Sequence, residues 1–174
     1  MKNSEWGAVA YLTESKYGRN GTEVTINNNG ETYYTGGGSG TGYVSNTNQS
    51  STGNIYGIYD LSGNAYEYVA GYYDGSSNLT NGSSFADGTS DAYSTAYSGI
   101  TAESSYKYGD ATYETSRWNS DSAYFVGSGS PFFARGGYYN DESYAGVFLF
   151  SCSNGGRQQQ QRRQLPCMSR STVM

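Results

Sequence analysis

The sequence predicts an α+β domain with a small sheet, one or two helices and a large share of irregular loop. Three observations lead there. One stretch near the N-terminus has helical spacing, several short runs alternate like strands, and the segments between them are rich in Gly, Asn, Ser and Thr. The 174 residues include 25 glycines and 20 tyrosines, and only 14% are charged. The hydrophobic fraction of 35% counts all of that tyrosine, so the aliphatic core is thin. Aromatic rings make up the difference, because each buried Tyr or Trp removes roughly 150–250 Å² from water. A core of this kind also needs hydrogen-bond partners for its phenols and usually an additional staple.

The elements follow in order. Residues 4–17 are the best helix, with Ser4 as cap and Trp6, Val9, Ala10 and Leu12 near helical spacing. The run Tyr17-Gly18-Arg19-Asn20-Gly21 ends it. Val24-Thr25-Ile26-Asn27 is a short extended piece, and residues 28–53 read as a long surface loop. Ile55 to Asp60 alternates and reads as a strand. Gly63-Asn64 makes a turn, and Ala65 to Tyr73 alternates again. Residues 74–105 are polar and irregular. Phe132 to Gly137 is a strand running into a glycine pair, and Tyr144 to Phe150 is the most apolar strand of the chain.

These features delimit one domain over residues 1–156. The opening run Met1 to Tyr11 reads like the middle of a domain, so an N-terminal portion is expected to be missing. From Arg157 the character changes, with Gln158 to Gln161 and a pair of arginines replacing the Gly/Tyr/Asn/Ser habit. Residues 157–174 are either a disordered basic tail or a segment read out of frame.

Charge narrows the function classes. The formal net charge is −5, and four of the ten basic residues lie in the tail beyond Gly156, which holds no acid. Residues 1–156 therefore carry −9. That argues against nucleic acid as a partner, since phosphate recognition needs clustered Lys and Arg. The chain contains no histidine, which removes the usual zinc ligand and general base. No apolar run of membrane-spanning length and no signal segment is present in these residues.

One constellation is compatible with a cation. Asp60 and Glu67 flank the tight turn Ser62-Gly63-Asn64. Such a turn folds both carboxylates towards one point and frees carbonyls from sheet pairing. Calcium takes six to eight oxygen ligands of those kinds. The alternative is a hydrogen-bonded turn with Glu67 as a solvated strand residue.

The stretch Tyr59-Asp60-Leu61-Ser62-Gly63-Asn64-Ala65-Tyr66-Glu67-Tyr68, followed later by Arg135-Gly136-Gly137-Tyr138-Tyr139-Asn140, resembles two signature segments of one family. These are the signatures of the formylglycine-generating-enzyme (sulfatase-modifying-factor) branch of the C-type-lectin-like fold. The resemblance implies a small twisted antiparallel sheet carrying long, packed loops. It also implies a structural calcium held by Asp60, the carbonyls of Gly63 and Ala65, and Glu67. Tyr66 and Tyr68 stand where that family usually has tryptophan, and its terminal Gly-Phe-Arg-like strand is missing.

Catalysis is not expected. Active members of the family carry two cysteines shortly after the diglycine, and this chain has Asp141 and Gly146 at those positions. Neither supplies a thiolate. Cys152 is isolated and Cys167 lies in the tail, so a disulfide between them is allowed but not implied. A carboxylate-pair hydrolase is not singled out by any spacing.

Residues 132–156 also resemble the C-terminal variable region of retroelement-diversified proteins of phages and bacteria. That resemblance implies ligand binding or surface display. Tyr138, Tyr139, Asp141, Glu142, Ser143, Tyr144, Phe150 and Ser151 would form the contact face. The ligand would be a protein or glycan on a cell surface, and the protein would be extracellular, cell-surface or virion-associated. Tyr, Ser, Gly and Asn also build antibody-like binding loops. Two alternatives stand beside it: a sulfatase-modifying-type oxidoreductase relative retaining activity, and a carbohydrate-binding lectin-like module. Against the latter, neither Pro131 nor Pro166 has the paired acidic and amide neighbours that sugar-binding lectins use.

Overall fold

The computed structural model describes residues 1–27, 46–75, 94–112 and 117–152. Two helices, α1 (Asn3–Glu14) and α2 (Ala102–Ser105), accompany four strands: β1 (Glu67–Tyr73), β2 (Thr95–Tyr97), β3 (Phe132–Gly136) and β4 (Gly146–Ser151). Single 3-10 turns cover Trp118–Ser120 and Glu142–Tyr144. The strand order is β2-β1-β3-β4. The architecture is α+β, as the sequence predicts.

The sheet is mixed rather than antiparallel. β3 pairs antiparallel with both β1 and β4, but β2 lies parallel to β1. The reason is connection length. Residues 74–94 separate β1 from β2, more than the dozen or so residues that a parallel crossover requires. A strand inside the segment read as irregular is a second correction, and β2 has only three residues with which to signal itself.

α1 begins one residue earlier than its sequence signal and ends three residues sooner. The cap is Lys2, not Ser4, and the Glu5 carboxylate accepts the Lys2 backbone N–H at 2.8 Å. The helix ends at Glu14, where the Ser15 N–H donates to the Tyr11 and Leu12 carbonyls. Its buried face is Asn3, Trp6, Gly7, Ala10 and Thr13, the spacing of a single stripe. Leu12 points away from that stripe and is 51% exposed. Trp6 anchors the helix to the sheet, its indole N–H donating to the Val147 carbonyl at 2.7 Å.

Ile55 to Asp60 is not a strand. Ile55, Tyr56 and Ile58 are exposed, and the backbone bonds to nearby polar side chains instead of to a ladder. The Tyr56 N–H donates to Asn54 Oδ1 at 2.9 Å and the Ile58 N–H to Ser51 Oγ at 2.9 Å. Short Ser and Asn side chains offer the chain a local alternative to sheet pairing, and here they win.

The core lies between α1 and the sheet and is largely aromatic. Phe133 meets Tyr97, Phe125 and Phe150 edge-on, with ring centroids at 5.0, 5.1 and 6.2 Å. All six residues of β4 are buried, because side chains from both of its faces are covered. Phe150 and Ser151 are each only 3% exposed, so they cannot belong to a contact face. The run Tyr144 to Phe150 signalled the strand correctly, and its continuous apolar character fits a strand covered on both faces. Among the described residues no helix is long and apolar enough to cross a membrane. The loop expected over 28–53 is described only from residue 46, and the tail at 157–174 lies outside the described residues.

Candidate functional site

The two signature segments meet. Asp60, Gly63 and Asn64 have φ of 62°, 76° and 66°, which reverse the chain just before β1. Asn27 holds one side of this turn: its N–H donates to the Ser62 carbonyl, and its carbonyl accepts the Asn64 N–H at 2.7 Å. The exit of β3 holds the other. The Gly63 N–H donates to the Gly136 carbonyl at 2.9 Å, and the Tyr139 N–H donates to the Asn64 carbonyl at 3.0 Å. Gly136 and Gly137 have φ of 79° and 81°, and a Cβ on Gly137 would meet the Ala145 side chain at 2.6 Å. The diglycine therefore lets the chain turn sharply from β3 across the 60–65 turn.

Asp60 and Glu67 lie near enough for the charge of one to act on the other. Burial pushes both carboxyls above the usual range, and the charge of Asp60 raises Glu67 further. The Asn27 side chain opposes the shift at Asp60, and the N-terminal amine opposes it at Glu67. Neither the Gly63 nor the Ala65 carbonyl accepts a backbone hydrogen bond among the described residues. Carboxylates and free carbonyls are the oxygen donors that calcium takes. Four protein oxygens would leave the remaining coordination positions to water. Among the described residues no three Asp, Glu or Cys side chains converge.

The chain after the diglycine is a tight surface turn. Asp141 Oδ2 accepts the Tyr138 N–H at 3.0 Å, and the Asp141 carbonyl accepts the Tyr144 N–H at 2.9 Å. The Tyr138 ring stacks on Tyr66 at 5.2 Å and meets Tyr139 edge-on at 5.3 Å. Tyr139, Glu142, Ser143 and Tyr144 are exposed, Tyr138 and Asp141 half-buried. Six of the eight predicted contact residues thus share one turn. Residues 59–69 and 136–152 together carry four acids (Asp60, Glu67, Asp141 and Glu142) and no Lys or Arg.

Beneath this turn lies a polar cluster that the sequence reading missed. Arg135 is wholly buried on β3, its Nη2 donating to the Ala111 carbonyl at 3.3 Å. Its guanidinium lies 5.8 Å from the ring centroids of both Trp6 and Phe150. Burial lowers its pKa to about 10, opposed by Asp110, Tyr97 and Asp121. Asp110 accepts the Tyr97 hydroxyl at 2.7 Å and the Thr112 N–H and hydroxyl at 2.9 and 2.6 Å. Its bond to the residue two places on is the one sequence-level signal, since Asp favours such turns.

Asp121 is less well served. Its Oδ2 accepts the Phe148 N–H at 2.9 Å, while Oδ1 has no hydrogen-bond partner among the described residues. Burial and then the charge of Glu23 push its pKa up to about 8. A Cβ on Gly146 would collide with this carboxylate. Cys152 is half-buried, unbridged among the described residues, and raised in pKa by burial, the reverse of an activated thiol; Cys167 lies outside the described residues.

Comparisons with family models, with curated proteins and with solved structures each find no match to this chain.

Proposed function

We propose that this protein is a non-catalytic ligand-binding or display domain on a C-type-lectin-like scaffold related to formylglycine-generating enzymes. The accessible part of its contact face is the turn 138–144, and a structural calcium held at Asp60, Gly63, Ala65 and Glu67 braces it from behind. The observation that carries this reading is the direct hydrogen bonding of the two signature segments, Gly63 to Gly136 and Tyr139 to Asn64. Rigid tyrosines on a pinned turn bind at low entropic cost, because little ordering remains when a ligand arrives. Calcium would offset the repulsion between Asp60 and Glu67 and so stiffen the base of the turn.

The chemistry of the remaining residues supports binding over oxidation. Asp141 is engaged with the Tyr138 backbone, and a cysteine at position 146 would run into Asp121. With no histidine and no thiol pair in these positions, the copper-oxidase chemistry of the resembled family has no ligands here. The ligand would be a protein or glycan at a cell surface.

Sequencing many copies of the locus tests the display reading. Diversification predicts substitutions concentrated in codons 138–144, at adenines of Asn-type codons. An even spread of changes along the gene rejects it.

A further inference from the structure

The contact face has a sign as well as a shape. Asp141 and Glu142 sit between Tyr139 and Tyr144 on one short turn, and residues 136–152 hold no Lys or Arg. Tyr139 is 49% exposed, Tyr144 59%, and Glu142 is exposed beside them. Aromatic faces attract cations through their quadrupole, and a neighbouring carboxylate adds charge to that attraction. The net charge of −5 on the chain extends the same preference to longer range. Calcium at Asp60 and Glu67 would cancel the charge of that pair, but it leaves Asp141 and Glu142 untouched.

We infer that the turn 138–144 takes a Lys- or Arg-bearing segment of another protein, with the cationic head between Tyr139 and Tyr144 against Glu142. The inference rests on the contact-face reading and adds the chemistry of the partner. An anionic glycan or a lipid phosphate is repelled by the same charges.

The test is calorimetric titration of the full chain, in calcium and near-physiological salt, with a Gly-Lys-Gly-Arg repeat peptide. A peptide with acetyllysine and citrulline in place of the cations is the control. The basic peptide is expected to bind and the neutralised one not. Glu142→Gln should weaken binding about 3- to 10-fold, and Tyr139→Ser with Tyr144→Ser about 10-fold or more. Glu103→Gln, on exposed α2, should leave it unchanged. Failure of the basic peptide to bind overturns the inference, as does equal weakening by Glu103→Gln, which would mean attraction to net charge alone.

A random peptide library selected against the protein separates this inference from the reading beneath it. Selected peptides without Lys or Arg whose binding is lost in the double tyrosine variant sink the cationic preference and leave the contact face standing. Selected peptides indifferent to the tyrosine changes sink the contact face itself. Circular dichroism of each variant confirms that the fold is retained.

Discussion

Two clusters of Tyr and Asp lie on either side of the β3 exit, and they behave in opposite ways. Around Arg135, Tyr97 and Asp110 are fully buried and hydrogen-bonded to each other at 2.7 Å, with Asn3 Nδ2 donating to the same hydroxyl at 2.7 Å. On the turn 138–144, Tyr139 and Tyr144 present their rings to solvent, while Asp141 only shapes the backbone. In the first cluster the phenol donates to a buried carboxylate whose charge acts on the enclosed Arg135. The second presents exposed tyrosines and the exposed Glu142 to whatever arrives. Abundant tyrosine is therefore no mark of a binding surface by itself; burial decides which role each ring takes.

The contrast can be broken from its buried side first. Arg135→Ala removes the cation that faces Asp110 and Asp121, and is expected to cost about 3–5 kcal/mol of stability in chemical denaturation. A loss under 1 kcal/mol would mean that the cluster is not a unit. Calcium comes next. If it binds at Asp60 and Glu67, a concentration about 100-fold above Kd stabilises the fold by about 2.7 kcal/mol, visible as a rise in Tm that chelator reverses. An unchanged melting curve removes the metal from the proposal. Because both carboxyls are held above their usual range, the calcium effect should shrink as pH falls through that raised range.

Tyr97→Phe deletes the hydroxyl shared by Asn3 and Asp110, and is expected to cost about 1–3 kcal/mol by urea unfolding. Asp121 gives a pH signature. Its folded pKa of about 8 lies above the unfolded value, so the folded state holds a proton that the unfolded chain has released. That contribution to stability is fully present below the ordinary carboxylate range and is lost as pH rises towards 8. Asp121→Asn should flatten the slope and stabilise the protein at pH 8.5, by about 1–3 kcal/mol. A slope that survives the substitution would assign it elsewhere. The smallest effect belongs to the exposed cluster: Tyr144→Ser should change stability by no more than about 0.5 kcal/mol while altering ligand binding.

The elements legible beforehand were those with a local apolar signal. α1 carries a single buried stripe, β1 an alternating sequence and β4 a continuous apolar run, and these elements and β3 lie close to where the sequence places them. The turn at Gly63-Asn64 and the diglycine were legible for another local reason, since left-handed backbone selects Gly and Asn. Six of the predicted contact residues fell on one turn. Phe150 and Ser151 did not: they close the most apolar run of the chain, and such a run favours a strand covered on both faces.

By itself, the sequence determined an α+β chain with an aromatic core, an acidic balance, no histidine, and two short motifs separated along the chain. Those are properties of single residues and their near neighbours. Only the tertiary structure decided that β2 runs parallel to β1, that Ile55 to Asp60 forgoes a ladder, and that the two motifs touch. It also decided that Arg135 is enclosed with Asp110 and Asp121 nearby. The strand pairing, the motif contact and the Arg135 enclosure each depend on a partner distant in sequence, and the energy of a buried charge or a strand edge is undefined until that partner is in place. Ile55 to Asp60 is instead decided by competition from its near neighbours Ser51 and Asn54.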